Sequence, residues 1–166
     1  MRYLIGMVIF IYMFVTLCKK TYFYYQLKYI KQEIQKRYDQ LISILTQQHH
    51  TNHYVQRLIN KRQSNNIVLV TDPSKQGFGY NINKGEEIGV CMINYKTGSV
   101  NKLDDIFYVL LHELAHVMTF SYSHDTEFHS NFHFLQQVAI ENNIFTLTDY
   151  KSNPSEFCNG YINGDI

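Results

Sequence analysis

The chain opens on an uninterrupted apolar run: from Tyr3 to Cys18 no residue carries a charge, with Arg2 before the run and Lys19 and Lys20 closing it. As a helix the run spans roughly 24 Å, somewhat short of the roughly 30 Å hydrocarbon core of a bilayer. Flanking lysines can snorkel to the interface, and the aromatic stretch Tyr22 to Tyr25 supplies interfacial anchors. A signal peptide fits less well, because Thr16-Leu17-Cys18 has no small-x-small cleavage site, and a buried core helix is the remaining alternative. The pattern predicts a membrane anchor over residues 1–20. Lys19, Lys20, Lys28 and Lys31 follow the run whereas Arg2 alone precedes it, so the positive-inside bias predicts a single-pass protein with a cytosolic domain.

Beyond the anchor the apolar positions change period. Leu27, Ile30, Ile34, Tyr38, Leu41 and Leu45 recur at threes and fours, which predicts an amphipathic helix over 21–47, either separate from the anchor or continuous with it. The polar stretch to Asn66 reads as loop with a short helix around Val55 to Ile59, and His49, His50 and His53 read as solvated. From residue 48 onward one domain is expected. Ile67 to Val70, bounded by Asn66 and Thr71-Asp72-Pro73, predicts a short buried strand, and Glu87 to Asn94 a second one after the turn Asn83-Lys84-Gly85. Asn101 is placed to cap a helix with Asp104 in its first turn and Leu103, Ile106, Phe107, Leu110, Leu111 and Leu114 in helical register. A last helix from Thr126 to Asn142, capped by Asp125, would bury Phe128, Phe132, Leu135 and Val138 or Ala139. The tail from Thr146 to Ile166, with Asn153-Pro154 and Asn159-Gly160 turns, is expected to wrap back over the domain. The fold class is α+β.

Chemistry concentrates on one of these helices. His112-Glu113-Leu114-Ala115-His116 sets two imidazoles four residues apart on one helix face, where both can ligate one tetrahedral zinc ion, with Glu113 beside the open position as general base. Composition alone would produce this pattern about 0.016 times in a chain of this length. An otherwise apolar helix has no other reason to bury two histidines and a glutamate. A catalytic zinc needs a third protein ligand. The candidates are His124, Asp125, Glu127, His129 and His133. His124 is favoured, since it sits in the polar loop Ser121-Tyr122-Ser123 where the chain can turn back, and His129 comes next. Tyr122 is a candidate donor to a developing oxyanion. Asp125 either orients a ligand histidine or caps its helix.

The balance of 15 basic and 14 acidic residues gives a formal charge of +1, so no global field draws the chain to nucleic acid, and no specific nucleic-acid binding is expected. Cys18, Cys91 and Cys158 are odd in number and lack CxxC spacing. They suggest neither a disulfide framework nor a thiolate zinc site, which fits a reducing compartment, and Cys158 reads as buried.

In these residues the chain resembles the WLM metalloproteases, relatives of the SprT-like zincins. Gly79-Tyr80-Asn81-Ile82-Asn83-Lys84-Gly85 corresponds to the Gly-Leu-Asn-Val-Asn-Arg-Gly segment that precedes a strand in that family. Leu111 to His116 matches its active-site helix, and His124-Asp125-Thr126-Glu127-Phe128 looks like its His-Asp-x-x-Phe element. The three matches cover roughly residues 67–140. Seven residues separate His116 from His124, where the family form has five and contains His-Gly-Pro. The resemblance implies a zincin-like domain over 48–166, one Zn2+ per chain held by His112, His116 and His124, and a protein or peptide substrate laid along an edge strand near Val90 to Asn94. Two other readings compete with a membrane-anchored zinc metallopeptidase: a non-catalytic zinc-binding interaction module, and a DNA-associated protease like the family's crosslink-repair members.

Overall fold

The computed structural model describes residues 2–62, 66–72 and 77–164; Pro73, expected to close the first strand, and the polar residues 63–65 lie outside them. The segments expected as anchor and amphipathic helix form one helix, α1 (Arg2–Gln48). No glycine or proline occurs between Met7 and Gln48 to interrupt it, so the helix runs through the change of period. The change of period shows in burial instead. Residues such as Phe10, 69% exposed, project all round the first half, whereas Ile34, Tyr38, Leu41, Ile42 and Leu45 are buried against the domain. A short loop leads to α2 (His53–Arg62), whose Val55 and Leu58 enter the same core. His49 is half-buried with its ring edge-on to Phe134, whereas His50 and His53 are exposed as expected.

Three strands follow, β1 (Asn66–Val70), β2 (Gly79–Ile82) and β3 (Glu87–Cys91), in the sheet order β1-β3-β2. β1 runs parallel to β3 and β2 antiparallel to it, with Tyr80 opposite Gly89. Gly89 is required there: a Cβ on it would meet the Tyr80 ring at 2.0 Å. The sheet corrects two expectations. The second strand ends at Cys91 rather than Asn94, because Asn94 turns the chain by accepting from the Lys96 and Thr97 amides. It is also the central strand, so the edge facing the histidine helix is β2, not the segment Val90 to Asn94.

The histidine helix, α3 (Leu103–Met118), is almost wholly buried. Asn101 does not cap it. The flanking position is Lys102, without a side-chain cap, while the Asn101 amide donates to Met92 O and its side chain to Cys158 Sγ. Asp104 and Asp105 do occupy the first turn, where negative charge is favoured, and Arg37 pairs with Asp104. Helix α4 (Thr126–Glu141) is capped by Asp125, which accepts from the Phe128 amide.

The tail folds into a hairpin, β4 (Ser155–Phe157) and β5 (Gly160–Ile162), whose Phe157 and Ile162 are buried. Cys158 is bonded to Cys91 across 67 residues, which corrects the expectation of unpaired cysteines. No spacing signal accompanies a bridge between a central strand and a distant hairpin. Asp105, only 3% exposed, accepts from Tyr150 Oη at 2.8 Å and Ser155 Oγ at 2.6 Å, fastening the tail to the start of α3. Burial, reinforced by Asp105, pushes the Tyr150 phenol well above its ordinary range. Asp105→Ala strands both hydroxyls and is expected to cost about 3 kcal/mol, read from the denaturant midpoint. A cost under about 1 kcal/mol would show that the tail is held elsewhere.

Candidate metal centre

Helical spacing and burial bring His112 and His116 together on α3. Their Nε2 atoms lie 3.2 Å apart, and His124, delivered by the loop before α4, sets its Nε2 at 3.0 Å from that of His116. The three ligand nitrogens all fall within 4.8 Å of one another. A tetrahedral ion with nitrogen ligands at about 2.0–2.1 Å places those nitrogens about 3.3 Å apart, so the cluster fits one cation. Burial, with the neighbouring histidines adding to it, lowers His112 to about 3, and burial, helped by His124 and Lys84, lowers His116 to about 4. Both imidazoles are therefore neutral near pH 7 and keep a lone pair for a metal.

One ring supports all three. Phe128, fully buried, has its centroid 4.4 Å from that of His116, 4.5 Å from His124 and 4.8 Å from His112. The Asp125 cap sets the first turn of α4, which aims Phe128 into the cluster. A phenylalanine four residues after His124 reads in sequence as one more core position, and its contact with every imidazole becomes visible only in three dimensions.

Glu113 is buried beside the histidines, and burial raises its carboxyl to about 8. It faces the edge strand closely. A Cβ added at Gly79 would come within 2.6 Å of Glu113 Oε1, and Asn81 Nδ2 donates to Glu113 O at 2.8 Å. Gly79 is thus required by this close approach, and Asn81 ties β2 to α3. Gly79, Tyr80, Asn81, Lys84, Tyr122, Glu113 and the three histidines line one cleft of about 350 Å³.

The other candidates point elsewhere. Glu127 Oε1 accepts from the Phe120 amide, and the Asp125 oxygens are taken by the Phe128 amide and the Ser123 hydroxyl. His129 and His133 are exposed and line a different depression, of about 450 Å³, between α4 and the tail. Tyr122 is 83% exposed, with its ring 4.3 Å from Lys84 Nζ. Lys84, in its turn, reads from the sequence as a solvated lysine. It is buried and donates to the carbonyls of Thr119, Phe120 and Ser121.

Known proteins resemble this chain. The model of the WLM domain family matches residues 41–155. An uncharacterised protein of Acanthamoeba polyphaga mimivirus is 35% identical over 94 residues, covering 57% of this chain and 48% of the relative. The chain thus spans about half the length of that relative. The crystal structure of Wss1 from Saccharomyces cerevisiae matches 55% of this chain and 74% of its own at 23% identity, with a TM-score of 0.42. A Wss1 mutant from the same yeast matches 60% and 87% at 17% identity, also with a TM-score of 0.42.

Proposed function

The chain belongs to the WLM domain family, and from that premise we propose that it is a zinc-dependent peptidase tethered to a membrane by the first half of α1. The observation that carries the proposal is the convergence of His112, His116 and His124 at the base of a cleft that Glu113 and β2 also line. Three imidazoles with an open position are the donor set of a catalytic zinc site. A structural zinc site is closed by four protein ligands, whereas the cluster among the described residues has three, which favours an enzyme over a non-catalytic binding module.

When bound, zinc supplies a Lewis acid that acidifies water and polarises a carbonyl. The chain's own residues perform the remaining work. Beside the positive charge of a bound cation the ionised form of Glu113 is favoured over the protonated form that burial alone favours, and the carboxylate then accepts a proton from water and returns it to the departing amine. Asn81, donating to the Glu113 main-chain carbonyl, ties that residue's backbone to β2, and the close approach of Gly79 leaves room for its carboxylate there. As an edge strand, β2 offers backbone groups to an extended peptide, so the scissile bond is laid across the histidine cluster. The substrate class is therefore protein or peptide in extended form.

The apolar residues of α1 from Ile5 to Leu17 are exposed over a far larger contiguous surface than soluble monomers tolerate, which supports the anchor. Between Lys20 and Ile34 the same helix forms a stalk of roughly 20 Å, holding the cleft off the bilayer. The Cys91–Cys158 disulfide favours the oxidising side of that membrane over the cytosolic side that the flanking lysines favour. Such a bond rarely persists in cytosol, and the lysine asymmetry is small.

The full chain purified in detergent is expected to cleave an unfolded protein substrate, to stop when a chelator removes its metal, and to recover on addition of zinc. Hydrolysis that continues in the apo-protein would contradict the proposal. In cells, the chain should resist alkaline carbonate extraction, and its two bridged cysteines should be alkylated only after reduction. Release by carbonate would remove the anchor, and alkylation without reduction would place the domain in the cytosol.

A further inference from the structure

The stretch between α3 and His124 contains no glycine or proline and exposes Phe120 and Tyr122. Left to itself, it would sample many conformations, and ordering it would cost about 1–2 kcal/mol per residue when His124 is recruited. Lys84 addresses this stretch directly. It is the second residue of the turn after β2, where Asn83 and Lys84 both have positive φ, 48° and 53°. That turn sends the side chain inward, leaving it 7% exposed. Its ammonium donates to Thr119 O at 2.7 Å, to Phe120 O at 3.0 Å and to Ser121 O, which uses all three of its protons.

These carbonyls follow the C-terminus of α3, where a helix leaves acceptors without partners and concentrates negative potential, so a buried cation is favoured there. Two further groups hold the same stretch. Arg57 Nε donates to Val117 O at 2.8 Å and its guanidinium lies 4.6 Å from the Phe120 ring centroid, while Glu127 accepts from the Phe120 amide. Lys84 alone binds three consecutive carbonyls, and it also carries the Tyr122 ring at 4.3 Å, two residues before His124.

We propose that Lys84 is a positioning residue for the third metal ligand: it locks residues 119–121 so that His124 reaches the His112–His116 pair already ordered. The inference rests on the metal-centre reading above. It also accounts for how a connection of seven residues, lacking the family's glycine and proline, still returns a histidine to the site.

The test is a metal-affinity cycle on the full chain in detergent, using zinc and a competing chromophoric chelator, with thermal unfolding of each apo-protein recorded alongside. Lys84→Met is expected to weaken zinc about tenfold to hundredfold, the range typical for loss of a group that orients a ligand. In a His124→Ala background the same substitution should change affinity less than about twofold, because its effect passes through His124. Lys84→Arg keeps the charge but fans its donors in a plane, and should recover part of the loss. If Lys84→Met does not fold, Lys84→Arg is the variant carried through the cycle, with an expected loss of a few-fold that again vanishes without His124. Undiminished affinity in the His124-containing variants overturns the inference, as does an equal loss in both backgrounds, which would mark Lys84 as a general fold element. Failure of the wild type to bind zinc at all is a separate result that overturns the metal-centre reading and this inference with it.

Discussion

Glu113→Gln is expected to keep one zinc ion per chain while lowering kcat/KM for peptide hydrolysis by about 10³-fold, within the range that general acid–base groups contribute. The amide is nearly isosteric, so the close approach at Gly79 and the hydrogen bond from Asn81 to the Glu113 carbonyl both survive. The substitution removes only the ability to accept and return a proton. KM should change little, because the proposed role sets Glu113 against the reacting water rather than the extended peptide. Side-by-side metal analysis and steady-state kinetics check this. A variant that retains more than about a tenth of wild-type activity would place the proton transfer elsewhere, and one that loses its zinc would make Glu113 a structural part of the site.

Replacing the histidines one at a time is expected to yield a graded series. If the binding free energy of a three-histidine site is of the order of 10 kcal/mol, each ligand accounts for roughly a third, or a loss of about 300-fold in affinity. His112→Ala and His116→Ala should reach that loss, since both rings are fixed on a buried helix and packed on Phe128. His124→Ala should cost less, about 10²-fold, because His124 is exposed and stands on a loop whose ordering offsets part of its contribution. Chelator competition measures all three. A His129→Ala variant as deficient as His112→Ala would contradict the assignment of the third ligand.

Helices α3 and α4 could be read from the chain because their apolar positions keep a period near 3.6 over four turns and because Asp125 is a strong cap. The HExxH spacing identified the helix face in the same way. Strand β2 escaped, since Gly79-Tyr80-Asn81-Ile82 shows neither β-branched enrichment nor a clean alternation. Its strand character comes from pairing with β3, a partner that local sequence does not reveal. For the same reason the strand order, and with it the edge that lines the cleft, became clear only when all three strands could be placed. Asn101 had the chemistry of a cap but was claimed by tertiary contacts, with its amide on Met92 and its side chain on Cys158. The buried ammonium of Lys84 and the Cys91–Cys158 bond join positions far apart in the chain, and neither leaves a periodic trace.

The central claim is that His112, His116 and His124 together hold one zinc ion and leave a coordination position open. Zinc-edge X-ray absorption on the full chain, loaded with one equivalent of metal in detergent, tests it most directly. The expected result is three imidazole nitrogens at about 2.0–2.1 Å plus one light, non-protein oxygen, falling to two imidazoles in His124→Ala. Four protein ligands in the wild type, or an unchanged imidazole count in His124→Ala, would contradict it.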